Sequence, residues 1–340
     1  MIEIDGSEGE GGGQILRTAM ALSALTGEPL QIRNIRAGRP RPGLAAQHLT
    51  SVRAVAGICH GDLEGDAVGS VSLSFKPCGV TGGRFRFDVG TAGSVTLVIQ
   101  SCILALANCP EGFELAIGGG TDVLKAPPID HSRNVLFPML AKMGYDLQMP
   151  SCRRGFYPEG GGMVEVKGIG TKKISPLDLR DRGRFLGIGG LAYAQNLPRH
   201  VADRIVVQCK KDLLRFQPID MRLDVSEGRS TGAGVVLTAS YENTVLGASC
   251  LGERGLPSES VGQVASRTLI DEMRTSTLDV HAADQILPFM AIADGVSIFK
   301  VKEMSSHLMT QMDLIRKYRL AEFDVEGEGP FTVRVSPTRT

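Results

Sequence analysis

A glycine-rich turn near the start of the chain joins a short strand to a helix. Residues 9–13 read Gly-Glu-Gly-Gly-Gly and follow the strand-like run 2–4. Four glycines in five positions allow positive φ angles and let a ligand approach the main chain closely. The first turn of the following helix offers free N–H groups and a positive dipole end, which suit a phosphate. Glu10, Gln14 and Arg17 are therefore expected beside an anion-binding backbone.

Two common phosphate-binding motifs do not fit this turn. The chain has no G-x-x-x-x-G-K-[ST] motif, and Gln14 stands where a G-x-G-x-x-G motif would have its last glycine. A bound nucleotide would have to be held in another way. On this stretch alone, a plain turn with solvated polar side chains is an equally good interpretation.

The same pattern recurs further along the chain and predicts a repeated fold. A second glycine turn, 90–94, opens a helix over 95–107, and a third copy lies near the C-terminus with helices over 282–293 and 306–318. Each copy reads as two helices and several strands. We predict an α/β fold (α+β repeats), in which three repeated units each pack two helices on a roughly four-stranded sheet.

A segment of different character separates the second copy from the third. Residues 183–276 contain strands and two helical stretches, enough for a smaller inserted α/β domain whose ends lie close together. The larger catalytic domain would then comprise 1–182 plus 277–340. Its three units are predicted at about 1–89, at 90–166, and at 167–182 with 277–340.

The composition excludes several classes of protein. The 340 residues carry 37 basic and 37 acidic side chains, so the overall charge would not draw the chain onto nucleic acid. No apolar run approaches a membrane span, and no signal peptide is evident, so we expect no membrane partner. Seven scattered cysteines without a C-x-x-C pair favour reduced thiols and a cytoplasmic location. The absence of Trp disfavours base stacking as the main binding device.

A basic loop is a sharper feature of the sequence. Four arginines occur within nine residues, and interspersed Pro and Gly make the segment a loop rather than a helical face. Arginine binds phosphate through two parallel hydrogen bonds, which suits a phosphorylated polymer end. The alternative is a solvated loop that only aids solubility. The arginines are Arg33, Arg36, Arg39 and Arg41, and Gln47 and His48 follow on the next helix.

One histidine stands out by its context. His307 lies at a predicted strand-to-helix junction, where Ser305 or Ser306 can cap the helix. The positive end of the helix dipole favours the neutral, nucleophilic imidazole. Asp284 and Gln285 begin another helix, where they are either ordinary polar residues or contacts to a nucleotide.

At these residues the chain closely resembles the RNA 3′-terminal phosphate cyclases. The resemblance runs in order through nearly the whole chain, so it is far more specific than any one motif. Enolpyruvyl transferases share the general repeat fold but lack this set of motifs. The motifs are 9–17 (GEGGGQILR), 36–44 (RAGRPRPGL), 47–49 (QHL), Gly93-Ser94 with Gln100, 118–122 (GGGTD), 155–162 (GFYPEGGG), 198–202 (PRHVA) and 283–285 (ADQ).

The resemblance implies a reaction and its co-substrate. Such enzymes convert an RNA 3′-phosphate into a 2′,3′-cyclic phosphate with ATP, releasing AMP and pyrophosphate, through a histidine-AMP and an RNA-pp-A anhydride. DNA has no 2′-OH and would not be required. Mg²⁺ or Mn²⁺ is expected, because a divalent cation neutralises the triphosphate.

The resemblance also suggests roles for individual residues. His307 would be the nucleophile that carries AMP, with Arg17 and Arg39 as further catalytic groups, and Glu10 would bind the metal. Arg36, Arg39 and Gln47 would hold the RNA phosphate. The predicted ATP contacts are Gln14, Gln100, His281, Ala282, Ala283, Asp284 and Gln285.

Two other functions remain open from the sequence. The family contains ribosome-assembly relatives that bind RNA without catalysis and lack the histidine, so the presence of His307 disfavours that function. An enolpyruvyl transferase-like enzyme is supported only by the arginine loop.

Overall fold

The first unit shows the element order that the other two repeat. In this computed structural model, which describes residues 1–9, 11–171 and 173–338, each unit runs strand, helix, strand, helix, strand, strand. The sheet of unit one has the order β1-β2-β4-β3, with β1 and β2 parallel and the other pairs antiparallel. Its elements are β1 (Ile2–Asp5), α1 (Gly13–Thr26), β2 (Leu30–Arg33), α2 (Ala46–Ile58), β3 (Asp62–Glu64) and β4 (Leu73–Lys76).

Unit two has the same topology. Its sheet has the order β5-β6-β8-β7, again with one parallel pair at the edge. A π-helical turn, Ser132–Leu136, divides its second helix. The elements are β5 (Gly83–Asp88), α3 (Val95–Ala105), β6 (Gly112–Gly119), α4 (Ile129–His131), α5 (Phe137–Lys142), β7 (Leu147–Arg153) and β8 (Gly162–Ile169).

The π-turn interrupts what would otherwise be one regular helix from Ile129 to Lys142. Pro138 lies in the first turn of α5 and has no N–H, and its ring would clash with the carbonyl four residues earlier. The helix widens there, and Phe137 N–H donates to the Ser132 carbonyl five residues back.

Unit three is divided by the inserted segment. The bridge between Asp178 and Ile298 is parallel and supplies the place of a first strand before the insertion. The rest of the unit follows the insertion, and its sheet has the order β13-β15-β14. The elements are α8 (Val280–Ala291), β13 (Ser297–Val301), α9 (Ser306–Lys317), β14 (Ala321–Glu326) and β15 (Phe331–Pro337).

The inserted segment forms its own sheet of order β10-β9-β11-β12. Two helices cover one face of that sheet, and residues from both layers make a separate apolar cluster. The elements are β9 (Phe185–Gln195), α6 (His200–Asp212), β10 (Ile219–Ser226), β11 (Gly232–Tyr241), β12 (Val245–Leu251) and α7 (Ser258–Thr275).

One continuous apolar core joins the three repeated units. It extends from Ile4 in β1 through Val98 in α3 to Val335 in β15. Burying the apolar side chains of all three units together supplies the main favourable term in folding. The predicted α/β fold class of repeated units is confirmed; the sheets of units one and two have four strands each, and the sheet of unit three has three named strands. Within the described ranges, no helix is both long and apolar enough to cross a bilayer.

Candidate active site

A cavity of about 990 Å³ opens where the three units meet the inserted domain. Its walls come from α1, the arginine loop, α2, α3, the loop after β6, β12, α8 and the start of α9. The structure therefore brings together side chains that are far apart in sequence. The predicted site residues that line the cavity are Gln14, Arg17, Arg36, Arg39, Gln47, Gln100, His281, Asp284, Gln285 and His307.

Other residues from the sequence analysis do not line it. Ala282 and Ala283 are fully buried in the apolar core, where they pack α8 against its neighbours. Arg33 and Arg41 of the basic loop are exposed and contribute nothing to the cavity wall. Glu10, the predicted metal ligand, lies outside the described residues.

His307 is held at the start of α9 by a cap and a long-range hydrogen bond. Ser305 is the N-cap, and its hydroxyl accepts from Leu308 N–H at 3.0 Å. His307 Nδ1 lies 2.5 Å from Gln14 Oε1. An amide oxygen can only accept, so Nδ1 carries the proton. The Nε2 lone pair of the neutral ring is then available to a reaction partner.

The contact between α1 and α9 continues beyond this hydrogen bond. Gln311 Nε2 donates to Thr18 Oγ1 at 3.0 Å, and the Tyr318 hydroxyl donates to the Ala19 carbonyl at 2.8 Å. These groups are buried. Because buried polar groups cost energy unless paired, these bonds fix how the two helices lie against each other.

Arg17, Arg36 and Arg39 line one end of the cavity. Arg36 adopts a positive φ of 54°, and its guanidinium donates to the Gly43 carbonyl at 2.7 Å, which closes the basic loop on itself. The arginines concentrate positive charge in an otherwise neutral protein. Such an end is suited to a phosphate group.

His48 is a residue of this wall to which the sequence analysis gave no role. Its Nδ1 accepts from Ala45 N–H at 3.3 Å, so the ring presents Nε2–H on its other side. Burial, together with the charges of Arg17 and then Arg36 and Arg39, lowers the pKa of His48 to about 3. The imidazole is therefore neutral, and it adds a hydrogen-bond donor to the cationic end.

A second part of the cavity wall, on α3 and α8, is apolar with two unpaired amide atoms. Leu97, Pro288 and Phe289 form much of this wall. Gln100 Nε2 and Gln285 Oε1 are buried and have no hydrogen-bond partner among the described residues. A buried donor and a buried acceptor without partners are costly, and a polar planar ligand would satisfy both.

Asp284 also lines the cavity. Its surroundings exclude water and raise the pKa of its carboxyl well above the ordinary value, and the nearby Asp279 carboxylate raises it further. The positive charge of Arg17 opposes this shift.

Within residues 1–9, 11–171 and 173–338, no three His, Cys, Asp or Glu side chains are grouped as a metal site would require.

Gln47 lines the cavity but is also engaged inside the protein, because its Oε1 accepts from Ser94 N–H at 3.0 Å. Ser249 reaches the cavity from β12 of the inserted segment. Nothing in the sequence around Ser249 could have indicated this, because only the docking of two sheets places it there.

The arrangement defines a class of site: an imidazole and a group of arginines share one cavity with apolar side chains and unpaired amide atoms, on a repeated α/β fold. A family model described as RNA 3′-terminal phosphate cyclase matches residues 8–325. The chain therefore belongs to the RNA 3′-terminal phosphate cyclase family, which confirms both the predicted family and the predicted enzyme class.

Curated relatives with that name match over nearly their full length. The protein of Methanopyrus kandleri is 43% identical, covering 99% of each chain. That of Nitrosospira multiformis is 42% identical, covering 99% of this chain and 97% of its own. Among solved structures, an EPSP synthase from Acinetobacter baumannii aligns with 100% of this chain and 66% of its own. It has 14% identity and a TM-score of 0.32, too low to indicate a shared architecture.

Gly13 should be required as glycine because the cavity wall leaves no room for a side chain. A Cβ at this position would lie 2.1 Å from His48 Nε2 and 2.7 Å from an Arg17 guanidinium nitrogen. We expect Gly13→Ala to lower the free energy of unfolding by about 1–3 kcal/mol, measured in urea. The matched control is Gly57→Ala in α2, where the nearest atom is 3.9 Å away. If the two variants are equally stable, the predicted clash of a side chain at Gly13 with His48 and Arg17 is wrong.

His48 should make the protein less stable as the pH falls. Its pKa is about 3 when folded and about 6.5 when unfolded, so the unfolded chain binds the proton first. Between pH 7 and pH 5 this residue should remove up to about 2 kcal/mol of stability. His48→Gln should show a correspondingly smaller loss than wild type in urea unfolding at the two pH values, whereas exposed His60→Gln should behave as wild type. If all three proteins lose the same stability between pH 7 and pH 5, His48 is not the residue that causes the loss.

Proposed function

We propose that this chain is an ATP-dependent RNA 3′-phosphate cyclase that acts through a covalent histidine-AMP. The observation that carries the proposal is the hydrogen bond from His307 Nδ1 to Gln14, because in the tautomer that it selects Nε2 is the nitrogen that can attack, on a residue lining the cavity. A second support is the family, whose relatives bear the name of this reaction.

In the first step His307 Nε2 would attack the α-phosphorus of ATP. A nitrogen–phosphorus bond forms, the bond to the bridging oxygen breaks, and pyrophosphate leaves. The base and ribose would occupy the apolar part of the cavity beside Gln100 and Gln285, and His281 and Asp284 also line the cavity. The arginines of the cavity wall would stabilise the charge that develops on the phosphates.

In the second step an oxygen of the RNA 3′-phosphate would attack the same phosphorus. The bond to His307 breaks, and the RNA now carries an anhydride whose leaving group is AMP. The neighbouring 2′-OH then attacks the 3′-phosphorus and expels AMP. Because the reacting groups share one ribose, this last step needs little orientation by the protein. It also requires RNA at the terminal nucleotide.

Arg36, Arg39 and Gln47 are proposed to hold the RNA phosphate, and Arg17 to stabilise charge near His307. When bound, Mg²⁺ or Mn²⁺ would neutralise the triphosphate. The described residues contain no cluster that fits a metal on their own, so no step is assigned to the ion. Glu10, outside the described residues, remains the predicted ligand. The proposed location is the cytoplasm, supported by seven cysteines that are all free thiols.

The covalent step can be tested directly with α-labelled ATP and Mg²⁺. Wild-type protein should acquire a label that is stable to alkali and lost in acid, as a phosphoramidate is. His307→Ala should acquire none, because it lacks the nucleophile. The matched control is His200→Ala, an exposed histidine on the inserted domain, which should label as wild type. Absence of label in wild type, or labelling of His307→Ala, would exclude this mechanism.

The arginine loop allows a second test that separates the two substrates. Arg39→Ala should weaken the use of 3′-phosphate-ended RNA by about 10-fold or more, the cost of a charge-assisted phosphate contact, and should reduce self-adenylylation less. Arg41→Ala, on the same loop but away from the cavity, should change neither. Equal losses in both steps for Arg39→Ala would place this side chain at the ATP instead.

A further inference from the structure

One wall of the cavity is a short loop that is held at both ends. We call residues 123–127 the wall loop, because all five line the cavity. The loop is closed by a hydrogen bond from Ile129 N–H to the Thr121 carbonyl at 3.0 Å. Asp122 immediately precedes the wall loop and Asp130 follows shortly after it, and both carboxylates are buried.

A single guanidinium holds both of these carboxylates. Arg154 NH1 lies 3.3 Å from Asp122 Oδ2, and NH2 lies 2.8 Å from Asp130 Oδ2. The Arg154 side chain is only 5% exposed. Burial alone would favour the neutral group, but Asp122 and Asp130 raise the pKa of Arg154 above its ordinary value. The clamp is therefore charged, and it joins the two ends of the wall loop.

The third arm of the same guanidinium reaches the inserted domain. Arg154 Nε donates to Asp224 Oδ2 of β10 at 2.8 Å. The guanidinium also stacks over the ring of Tyr193 in β9, 3.8 Å from the ring centroid. Next to it, Phe156 N–H donates to the Ser230 hydroxyl at 2.8 Å. One side chain thus contacts both the inserted domain and the two ends of the wall loop.

We propose that Arg154 is a positioning residue through which the inserted domain holds the wall loop in the shape that binds the nucleotide. This assigns the inserted domain a part in the reaction, and it rests on the proposed function only in naming ATP as the ligand. Arg154 itself lines no part of the cavity. It acts through the loop whose ends it joins.

Asp224 is the position at which the coupling can be weakened without disrupting the core. Removing Arg154 would leave two buried carboxylates unpaired and would endanger folding. The Asp224 side chain is 40% exposed. Asp224→Asn keeps the shape of this side chain and removes only the negative charge that pairs with Arg154 Nε. Asp220→Asn is the matched control, because Asp220 lies on the same strand and pairs with Arg222 at the surface.

Two measurements on folded protein decide the proposal. Hydrogen exchange should quicken in the peptide spanning residues 121–130 of Asp224→Asn, and the affinity for α,β-methylene ATP should fall about 5-fold or more. Asp220→Asn should match wild type in both. The rate of self-adenylylation at saturating ATP should stay within about 2-fold of wild type, since binding and not chemistry is affected.

The outcomes separate this proposal from a purely structural contact and from the proposed function. If Asp224→Asn loses thermal stability while its analogue affinity and its exchange in 121–130 equal those of Asp220→Asn, the coupling is overturned. Faster exchange without loss of affinity also overturns it, because the loop would then not control binding. The analogue cannot be cleaved at the α-phosphorus, so these results stand even if wild-type protein fails to label.

Discussion

The hydrogen bond between Gln14 and His307 joins residues that are 293 positions apart, and the candidate site depends on it. Gln14 belongs to the first repeated unit and His307 to the third. The bond sets the tautomer of the imidazole, and so decides which nitrogen can act as a nucleophile. Two buried polar contacts between α1 and α9, which would be costly to break, help to hold the two helices in the position that this bond requires.

The repeated fold explains why a site forms at this place. Each unit buries one face of its helices in a shared core, so the helix starts of different units come together. The first unit supplies the cationic end, the second supplies Gln100 and the wall loop, and the third supplies α8 and His307. The inserted domain completes the wall through Ser249 and is joined to the second unit at Arg154. Units of similar fold therefore contribute different chemical groups to one cavity.

Much of this could be predicted from local sequence, and the exceptions have physical causes. Glycine turns, amphipathic helices and capping serines are set by neighbouring residues, so the repeated α/β class and the cap before His307 could be recognised. The π-turn at Ser132–Leu136 depends on the clash that Pro138 makes within its own helix. The family resemblance implies that Ala282 and Ala283 contact ATP together with their polar neighbours, but the helical period turns these two side chains into the core. His48 gained significance only when three arginines from other segments surrounded it.

The sequence by itself determined the family, the fold class and the kinds of side chain available for chemistry. It did so because motifs and periodicities are local patterns that survive without coordinates. The tertiary structure alone decided which imidazole nitrogen is free, which arginines face the cavity, which amide atoms lack partners, and how Arg154 connects two domains. Those properties arise from distances between segments remote in sequence. Electrostatic and hydrogen-bond energies depend on such distances, and no single stretch of chain contains them.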